Sequence, residues 1–360
     1  MKRFLHFLTS NRFKHYLGER LRYLTLKKAI NIVRVEWAFF FKRSRFNFYP
    51  YEIIIDPANI CQLRCALCST GTKLSTRKRG YMKFTTFKKI IDEVAPYVLH
   101  IYLHNWGESL LHKEIVRFIR YAKRYKVAIS ISSNLSFPLT EEEADSLITS
   151  GLDTLVISID GINKETYARY RIGGDFDRVI ANARLLVERK MKLNSKSPFL
   201  EWQFLKMRHN IHEVETAREM AKELGVDNIA FGSIVLPFGM NDAKLAEEWF
   251  PEEEFKNRRR YDMQDSDMGR ECWWLWRAAV FNWDGTVSPC CYVDGERAIF
   301  GNILDGMFKD IWNNNAYISA RSMFSKGNPS YLSLVKGNRT DSHNKDKEKV
   351  ICMRCGIVKK

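Results

Sequence analysis

The chain has 360 residues, 45% hydrophobic and 28% charged, a balance that is ordinary for a folded protein and excludes a mainly disordered one. Its formal net charge of +16 at pH 7 favours an anionic partner: nucleic acid, a phosphorylated substrate or an acidic membrane surface. The eight cysteines stand in tight groups far apart. That pattern is typical of metal binding in a reducing compartment and not of a small secreted disulfide scaffold.

The excess positive charge is concentrated in residues 1–48. The lysines and arginines there are Lys2, Arg3, Arg12, Lys14, Arg20, Arg22, Lys27, Lys28, Arg34, Lys42, Arg43 and Arg45, against Glu19 and Glu36 only. Apolar residues at helical spacing predict a basic, partly amphipathic helical arm. Two interpretations stay open: a helix packed on the main domain with solvated lysines, or peripheral contact with a membrane surface.

No signal peptide is evident, because the apolar stretches near the start are short and no small-residue cleavage site follows them. The apolar run 37–41 is far shorter than the ~20 residues that span a bilayer. We therefore expect a cytoplasmic protein. A further expectation is that the arm associates the protein with the cytoplasmic face of a membrane.

From residue 51 onward, predicted strands and helices alternate. Strands are expected at 51–56, 98–104, 127–132, 152–159, 199–207 and 226–233. Helices are expected at 85–97, 113–126, 140–150, 176–190 and 213–224, and Thr140 with Glu143 predicts a capping box on the third of these. About six strand–helix units predict an α/β fold with a parallel sheet, which is short of the eight units of a closed barrel.

The predicted domain organisation has four parts. The basic arm occupies 1–48, the α/β core 49–235, a charged linker or insertion 236–270, and a small second domain 271–360. In the second domain, Asp284-Gly285 predicts a tight hairpin turn. Residues 326–349 are polar and low in apolar content, and we interpret them as an insertion.

Cys61, Cys65 and Cys68 form a C-x3-C-x2-C pattern directly after the first predicted strand. Three thiolates in one loop can bind three irons of a [4Fe–4S] cluster and leave the fourth iron open to a chelating substrate. The alternative is a zinc site completed by a histidine such as His100 or His104. A loop at the carboxyl end of a barrel strand favours an active site.

Together with these cysteines, residues 50–235 resemble the radical SAM superfamily. Trp106-Gly107-Glu108 resembles its Gly-Gly-Glu-like motif, which implies that Gly107 and Glu108 contact the amino group of S-adenosylmethionine (SAM). Trp106 replaces the first glycine, and Leu67 stands where the family often has an aromatic residue before the third cysteine. The resemblance implies a partial (β/α)6 TIM-like barrel.

The resemblance also implies SAM-binding residues at the ends of later strands. These are Ser133, Asn134, Ser158 and Asp160, with Arg171 as the partner of the SAM carboxylate because its planar fork can bind two oxygens. The alternative for each strand-end residue is an ordinary chain turn.

A second group consists of Cys272, Cys290, Cys352 and Cys355. Four thiolates can ligate a second [4Fe–4S] cluster or a structural zinc, and their spacing alone leaves both open. The region resembles the SPASM/twitch auxiliary-cluster domain through Trp283-Asp284-Gly285, Pro289-Cys290-Cys291 and Gly301-Asn302-Ile303. The resemblance implies one auxiliary iron–sulfur cluster.

Cys291 belongs to neither group. One hypothesis makes it a catalytic residue that donates a hydrogen atom to a substrate radical, as an epimerase requires. The alternatives are a buried small hydrophobic residue or a replacement ligand for Cys290.

The resemblance implies an oxidoreductase-like enzyme that reductively cleaves SAM to a 5′-deoxyadenosyl radical, which removes hydrogen from a substrate. Similar enzymes act on peptides or on sugar-like alcohols. Because residues 1–48 are too short for a leader-binding domain with its own core, we favour oxidation or epimerisation of a sugar-like or lipid-linked anionic substrate. The implied partners are SAM, that substrate and a flavodoxin- or ferredoxin-type reductant.

Other functions stay open at this point. A peptide- or protein-modifying enzyme fits the same domains. An RNA-modifying enzyme fits the charge, although no RNA-binding module is recognisable. A non-catalytic iron–sulfur electron carrier or a zinc-bearing adaptor fits the cysteines but does not need Gly107 and Glu108.

Overall fold

The computed structural model describes residues 11–237, 243–260 and 272–324, together with Cys352. Six parallel strands form its centre: β1 (Glu52–Ile55), β2 (His100–Tyr102), β3 (Ala128–Ser133), β4 (Thr154–Ser158), β5 (Phe199–Lys206) and β6 (Asn228–Ser233). They lie side by side in chain order, and β6 forms one edge of the sheet. The predicted partial barrel is confirmed, and it is open.

Helices alternate with these strands as predicted. They are α3 (Phe84–Val94), α4 (Ile115–Lys123), α5 (Glu141–Ile148), α7 (Phe176–Lys192) and α8 (Val214–Leu224). The predicted capping box is present at the start of α5, where Thr140 and Glu143 exchange side-chain to backbone hydrogen bonds. In α4, Ile115, Phe118, Ile119 and Ala122 are buried, and their spacing of three and four places them on the face that covers the sheet.

One helix of the core was not predicted. Helix α6 (Lys164–Tyr170) follows β4 and is capped by the side chain of Asn163. Only Tyr167 and Tyr170 are buried in it, so its apolar pattern is too short to reveal a period. It matters for the site because its last residue directly precedes Arg171.

The expected linker also contains helices, α9 (Ala243–Trp249) and α10 (Glu252–Arg260). Trp249 and Phe250 are buried against Tyr170 and Met207. The segment therefore covers one side of the core.

The C-terminal region continues the sheet beyond β1. After the short helix α11 (Trp274–Arg277) come β7 (Ala278–Phe281), β8 (Thr286–Ser288) and β9 (Gly301–Asn302). Strand β7 pairs in parallel with β1, whereas β7–β8 and β8–β9 are antiparallel. The predicted turn at Asp284-Gly285 joins β7 to β8, and Gly285 has a φ of 84°.

Two more helices pack on this extension, α12 (Phe308–Trp312) and α13 (Asn315–Ser322). Arg321 of α13 is fully buried, and its guanidinium donates to the carbonyl oxygens of Leu275 and Trp312. The predicted insertion 326–349 and Cys355 lie outside the described residues.

The N-terminal arm forms two helices, α1 (Asn11–Arg22) and α2 (Leu26–Phe40). The His15 ring meets the Thr154 hydroxyl at 2.8 Å, and Arg20 donates to Glu52 at 3.0 Å. Both partners begin strands, so the arm packs across the amino-terminal edge of the sheet. This supports the interpretation of a helix packed on the main domain. None of the helices that the structure describes is long and apolar enough to cross a bilayer.

The buried carboxylate of Asp153 joins the arm to the core. It accepts hydrogen bonds from Tyr23 Oη at 2.5 Å, Lys123 Nζ at 2.7 Å and the Ile129 backbone N–H at 2.8 Å. Only 4% of Asp153 is exposed. Removing one partner of such a network leaves the other groups buried without compensation.

We expect Asp153→Ala to lower the free energy of unfolding by about 3 kcal/mol, because Lys123 would lose its buried counter-charge. The matched control is Glu215→Ala, whose carboxylate pairs with Arg218 in solvent and should change stability by under about 0.5 kcal/mol. Urea unfolding followed by circular dichroism measures both. Equal losses in the two variants would contradict the assigned role of Asp153.

Candidate active site

A cavity of about 270 Å³ opens at the carboxyl ends of the first four strands. Cys61, Cys65 and Cys68 line it, all from the loop after β1. Six of the predicted SAM-binding residues line the same cavity: Gly107, Glu108, Ser133, Asn134, Ser158 and Arg171. Residues spread over more than 100 positions thus meet because parallel strands end at one edge of the sheet.

Polar donors lie near two of the three thiols, those of Cys61 and Cys65. The Leu63 backbone N–H donates to Cys61 Sγ at 3.4 Å, and Asn134 Nδ2 lies 3.7 Å from the same sulfur. Arg171 Nη1 lies 3.8 Å from Cys65 Sγ. Burial raises the pKa of Cys61 to about 12 and also raises the pKa of Cys65, which the Arg171 charge opposes. These donors suit thiolates, the form that ligates metal.

Among the described residues, no three His, Cys, Asp or Glu side chains converge on a position for a single ion. The three cysteines instead line a shared cavity, as a multi-iron cluster requires when each thiolate binds a separate iron. His100 starts β2 and its Nε2 meets Ser130 Oγ at 2.9 Å, so it faces the opposite edge. His104 lines the cavity, and burial lowers its pKa to about 4. The arrangement fits a [4Fe–4S] cluster better than zinc.

Gly107 holds the loop after β2 directly against the segment that leads to the cysteines. A Cβ at this position would lie 1.8 Å from the Ala58 carbonyl oxygen. The next residue, Glu108, donates its backbone N–H to Ile60 O at 2.8 Å. Only glycine permits this approach, so the sequence motif has a steric cause.

Glu108 ties the same loop to the end of β3. Its Oε2 accepts from the Asn134 N–H at 2.8 Å, and its Oε1 accepts from the Leu110 N–H at 3.1 Å. The residue is 2% exposed, and burial raises its pKa. The Ser133 side chain also hydrogen-bonds to this carboxylate. Because the two oxygens together offer about four acceptor sites, Glu108 can position the backbone and still meet a ligand.

Asp160 does not line the cavity. It is fully buried behind Arg171, whose Nε and Nη2 both lie 2.6 Å from Asp160 Oδ2. Asp160 Oδ1 accepts from the Leu205 N–H at 2.7 Å. The structure therefore places Asp160 as a positioning residue that aims Arg171 at the cavity. Ser158 does line the cavity, and its Oγ lies 3.3 Å from Ser132 Oγ.

Sequence reasoning missed Asn105. It lines the cavity, and its buried Nδ2 has no hydrogen-bond partner among the described residues. Such a donor is costly to leave unpaired, which points to a ligand acceptor in the cavity. The sequence feature that could have identified Asn105 is its position between strand β2 and Gly107.

Asp56 was also missed. It directly follows β1, is 1% exposed, and accepts from the backbone N–H groups of Trp106 and Gly107. Its Oδ1 lacks a partner in the described part of the chain. It lines a small polar pocket with Arg77 and Asp294, and Trp106 is common to this pocket and the cavity. Burial raises the pKa of Asp56 to about 8.

The second cysteine group comes together only in part within the described residues. Cys352 is buried in the core, and Cys272 and Cys290 pack against the same core. Cys290 and Cys352 both lie near enough to the buried Tyr317 to raise its pKa. Cys272 likewise lies near enough to Cys290 to raise the pKa of that thiol. The fourth predicted ligand, Cys355, lies outside the described residues.

Cys291 does not line the cavity that holds the first three cysteines. Cys291 is half-buried, and the burial of its thiol raises its pKa to about 11. It lies close enough to Cys290 to raise the pKa of that thiol as well. This surrounding is compatible with a buried small residue or a replacement ligand. Its catalytic role stays a prediction.

Comparison with known proteins decides the family. A model of the radical SAM superfamily matches residues 55–200, and a model of the SPASM iron–sulfur cluster-binding domain matches residues 272–356. The chain is a radical SAM enzyme with a SPASM domain. SAM, a SAM-binding [4Fe–4S] cluster and an auxiliary iron–sulfur cluster are accordingly its cofactors.

The two curated relatives described here share at most 31% identity with this radical SAM enzyme. An AdoMet-dependent heme synthase of Methanosarcina barkeri is 31% identical over 46% of this chain and 45% of its own length. A tungsten-containing aldehyde ferredoxin oxidoreductase cofactor-modifying protein of Pyrococcus furiosus is 24% identical over 74% of this chain and 81% of its own length. The chain thus spans less than half of the first relative.

A solved structure shows the same fold. Streptococcus suis SuiB bound to S-adenosylmethionine superposes with a TM-score of 0.59 at 16% identity, over 79% of this chain and 70% of SuiB. The likeness confirms the radical SAM fold of the open barrel.

We expect Gly107→Ala to weaken SAM binding by about tenfold or more, because the added Cβ must push the loop off Ala58 and sub-ångström positioning is lost. Equilibrium dialysis with the cluster-loaded enzyme measures the affinity. The matched control is Gly306→Ala, where a Cβ meets nothing within 4 Å. Wild-type affinity in Gly107→Ala would contradict the steric argument.

The raised pKa of Asp56 predicts a pH-dependent stability. The folded protein binds a proton up to about pH 8, whereas the unfolded carboxyl loses it near about pH 3.9, so wild-type stability should fall across this window as pH rises. Asp56→Asn removes the ionisation and should flatten the fall.

Free energies of unfolding at about pH 5.5 and about pH 8 test this slope. Relative to wild type, Asp56→Asn should gain stability as the pH rises. The exposed Asp305→Asn serves as the control and should follow the wild-type profile. Parallel profiles for wild type and Asp56→Asn would show that Asp56 is not protonated in the folded enzyme.

Proposed function

We propose that this enzyme reductively cleaves SAM and uses the resulting radical to remove a hydrogen atom from a C–H bond of a small anionic, sugar-like substrate, which it oxidises or epimerises. The observation that carries the proposal is the shared cavity. Three cysteine thiols, the Arg171 guanidinium and the unpartnered Asn105 amide all line it.

When bound and reduced, the [4Fe–4S] cluster supplies the electron that breaks the C5′–S bond of SAM. Cys61, Cys65 and Cys68 would hold three of its irons. Asn134 and Arg171 lie close enough to donate to two of these sulfurs, and such donors tune the potential of a cluster. A flavodoxin- or ferredoxin-type protein is the reductant that we propose.

The remaining cavity residues would bind SAM. The Gly107 backbone offers close approach, Glu108 has acceptor sites for the amino group, and Arg171 can bind the carboxylate. Asp160 fixes Arg171 through two contacts at 2.6 Å, so the guanidinium is pre-organised before the ligand arrives. Ser133, Asn134 and Ser158 complete the proposed contacts at the ends of β3 and β4.

Two arginines beside the SAM cavity support an anionic substrate. Arg77 and Arg79 line the small polar pocket of Asp56, and Trp106 lines both this pocket and the SAM cavity. The pocket itself has a volume of only about 10 Å³, room for one water molecule, and Asp294 lines it too. The two arginines would therefore attract the substrate as nearby positive charges and would not enclose it. The basic arm does not contribute to this argument, because it packs at the opposite edge of the sheet.

Modification of a peptide is the runner-up. SuiB has also been solved with its precursor peptide SuiA, at a TM-score of 0.58 to this chain, but at 14% identity this likeness concerns the fold alone.

The test uses anaerobically reconstituted, dithionite-reduced enzyme incubated with SAM, with 5′-deoxyadenosine quantified by mass spectrometry. Wild type should form it, and Cys65→Ala should lose at least about 100-fold of the rate, since one cluster ligand is removed. Protein without reductant is the second control. If wild type incorporates iron and sulfide but forms no 5′-deoxyadenosine, the electron-carrier function replaces the proposal.

A further inference from the structure

Helix α2 packs on the protein through two polar residues, Lys28 and Asn31, as well as through the apolar Val35 and Ala38. Lys28 and Asn31 are 1% and 3% exposed. Lys28 Nζ donates to Lys126 O at 2.5 Å, and Asn31 Nδ2 donates to Tyr49 O at 2.9 Å. A surface helix of a globular protein ordinarily turns its apolar stripe inward, so the orientation of α2 is partly inverted.

The outward face of this region is apolar. Its large residues are 45–79% exposed: Leu26, Ile30, Val33, Trp37, Phe40 and Phe41. Their steps of mostly three and four residues form one stripe along about 20 Å of helix. Leu17, Leu21 and Leu24 extend the exposed apolar surface onto α1. Half of the exposed large hydrophobic residues in the described chain lie between positions 17 and 41, and such a concentration marks an interaction surface.

The charges around the stripe have one sign. Within 25–41, the only other exposed residues are Lys27 and Arg34, and Arg43 and Arg45 are exposed just beyond. The two acids of the arm are engaged by the protein itself. Glu19 is 3% exposed and accepts from Thr154 Oγ1, and Glu36 accepts from the Tyr51 hydroxyl and pairs with Arg277.

We propose that α2 docks the enzyme on an anionic phospholipid surface. The apolar stripe would enter the boundary between headgroups and acyl chains, and Lys27, Arg34 and Arg43 would meet the lipid phosphates. A second copy of the chain is a poorer occupant, because pairing two such faces would bring cations of like sign together without exposed carboxylates to balance them.

The position of α2 determines how the enzyme would lie on the bilayer. Its contacts at Tyr49 and Lys126 precede β1 and β3, whereas the cysteine loop follows β1. The helix and the cavity are therefore separated by about the length of β1 or β3, roughly 13–20 Å. Docking leaves the cavity mouth directed away from the lipid, so the proposed surface is independent of the proposed reaction.

The experiment is co-sedimentation of the cluster-loaded full chain with vesicles. Vesicles of phosphatidylglycerol and phosphatidylcholine should bind wild type, and vesicles of phosphatidylcholine alone should bind it much less. Trp37→Ser/Phe40→Ser should weaken binding to the anionic vesicles by about tenfold or more, since two large apolar side chains are lost from the interface.

Matched controls test whether a loss of vesicle binding comes from this surface or from any loss of exposed apolar or positively charged residues. Met191→Ser/Leu304→Ser removes two apolar residues that are 69% and 52% exposed elsewhere and should bind like wild type. Lys27→Glu/Arg34→Glu should lose binding, whereas Arg120→Glu/Lys222→Glu, the same charge change at other exposed positions, should retain most of it. Formation of 5′-deoxyadenosine should be unchanged in Trp37→Ser/Phe40→Ser, which shows that the variant is folded.

Three results would overturn the proposal. The first is that wild type does not sediment with the anionic vesicles, and the second is that Trp37→Ser/Phe40→Ser sediments as wild type does. Alternatively, light scattering could find a wild-type dimer that the same variant converts to a monomer, which would make the stripe an interface between two copies. None of these outcomes depends on whether the enzyme cleaves SAM.

Discussion

The contact between Gly107 and the Ala58 carbonyl is the constraint on which the site depends. No side chain fits between the loops after β1 and β2, so these loops meet backbone to backbone. The Glu108 N–H then reaches Ile60 O, and the Glu108 carboxylate reaches the Asn134 N–H. Three strand ends are thereby joined around the cysteines with little freedom, as catalysis by positioning requires.

Buried polar networks hold both edges of the barrel. At the carboxyl edge, Asp160 orients Arg171 toward Cys65, and at the amino edge, Asp153 ties Tyr23 of the arm to Lys123. Each carboxylate is buried and fully engaged, so the cost of removing its charge from water is offset by directed hydrogen bonds. The same physical device serves ligand positioning at one edge and attachment of the arm at the other.

Helix α2 shows why composition alone could not assign the charge of the chain. Its cations count toward the net charge of +16, yet Lys28 is buried against backbone carbonyls while Lys27 and Arg34 border an exposed apolar stripe. The positive charges of the arm therefore lie at the amino-terminal edge of the sheet, away from the cavity.

The sequence by itself determined the strand–helix order, the capping box at Thr140 and the cysteine motifs, because periodicity, caps and ligand spacing are local properties. Tertiary structure alone decided that Asp160 stands behind Arg171, that Asn105 and Asp56 face the pockets, and that α2 turns its apolar stripe outward. These features depend on contacts such as Lys28 with Lys126, 98 residues apart. Packing of distant elements sets such contacts, and no spacing along the chain reports it.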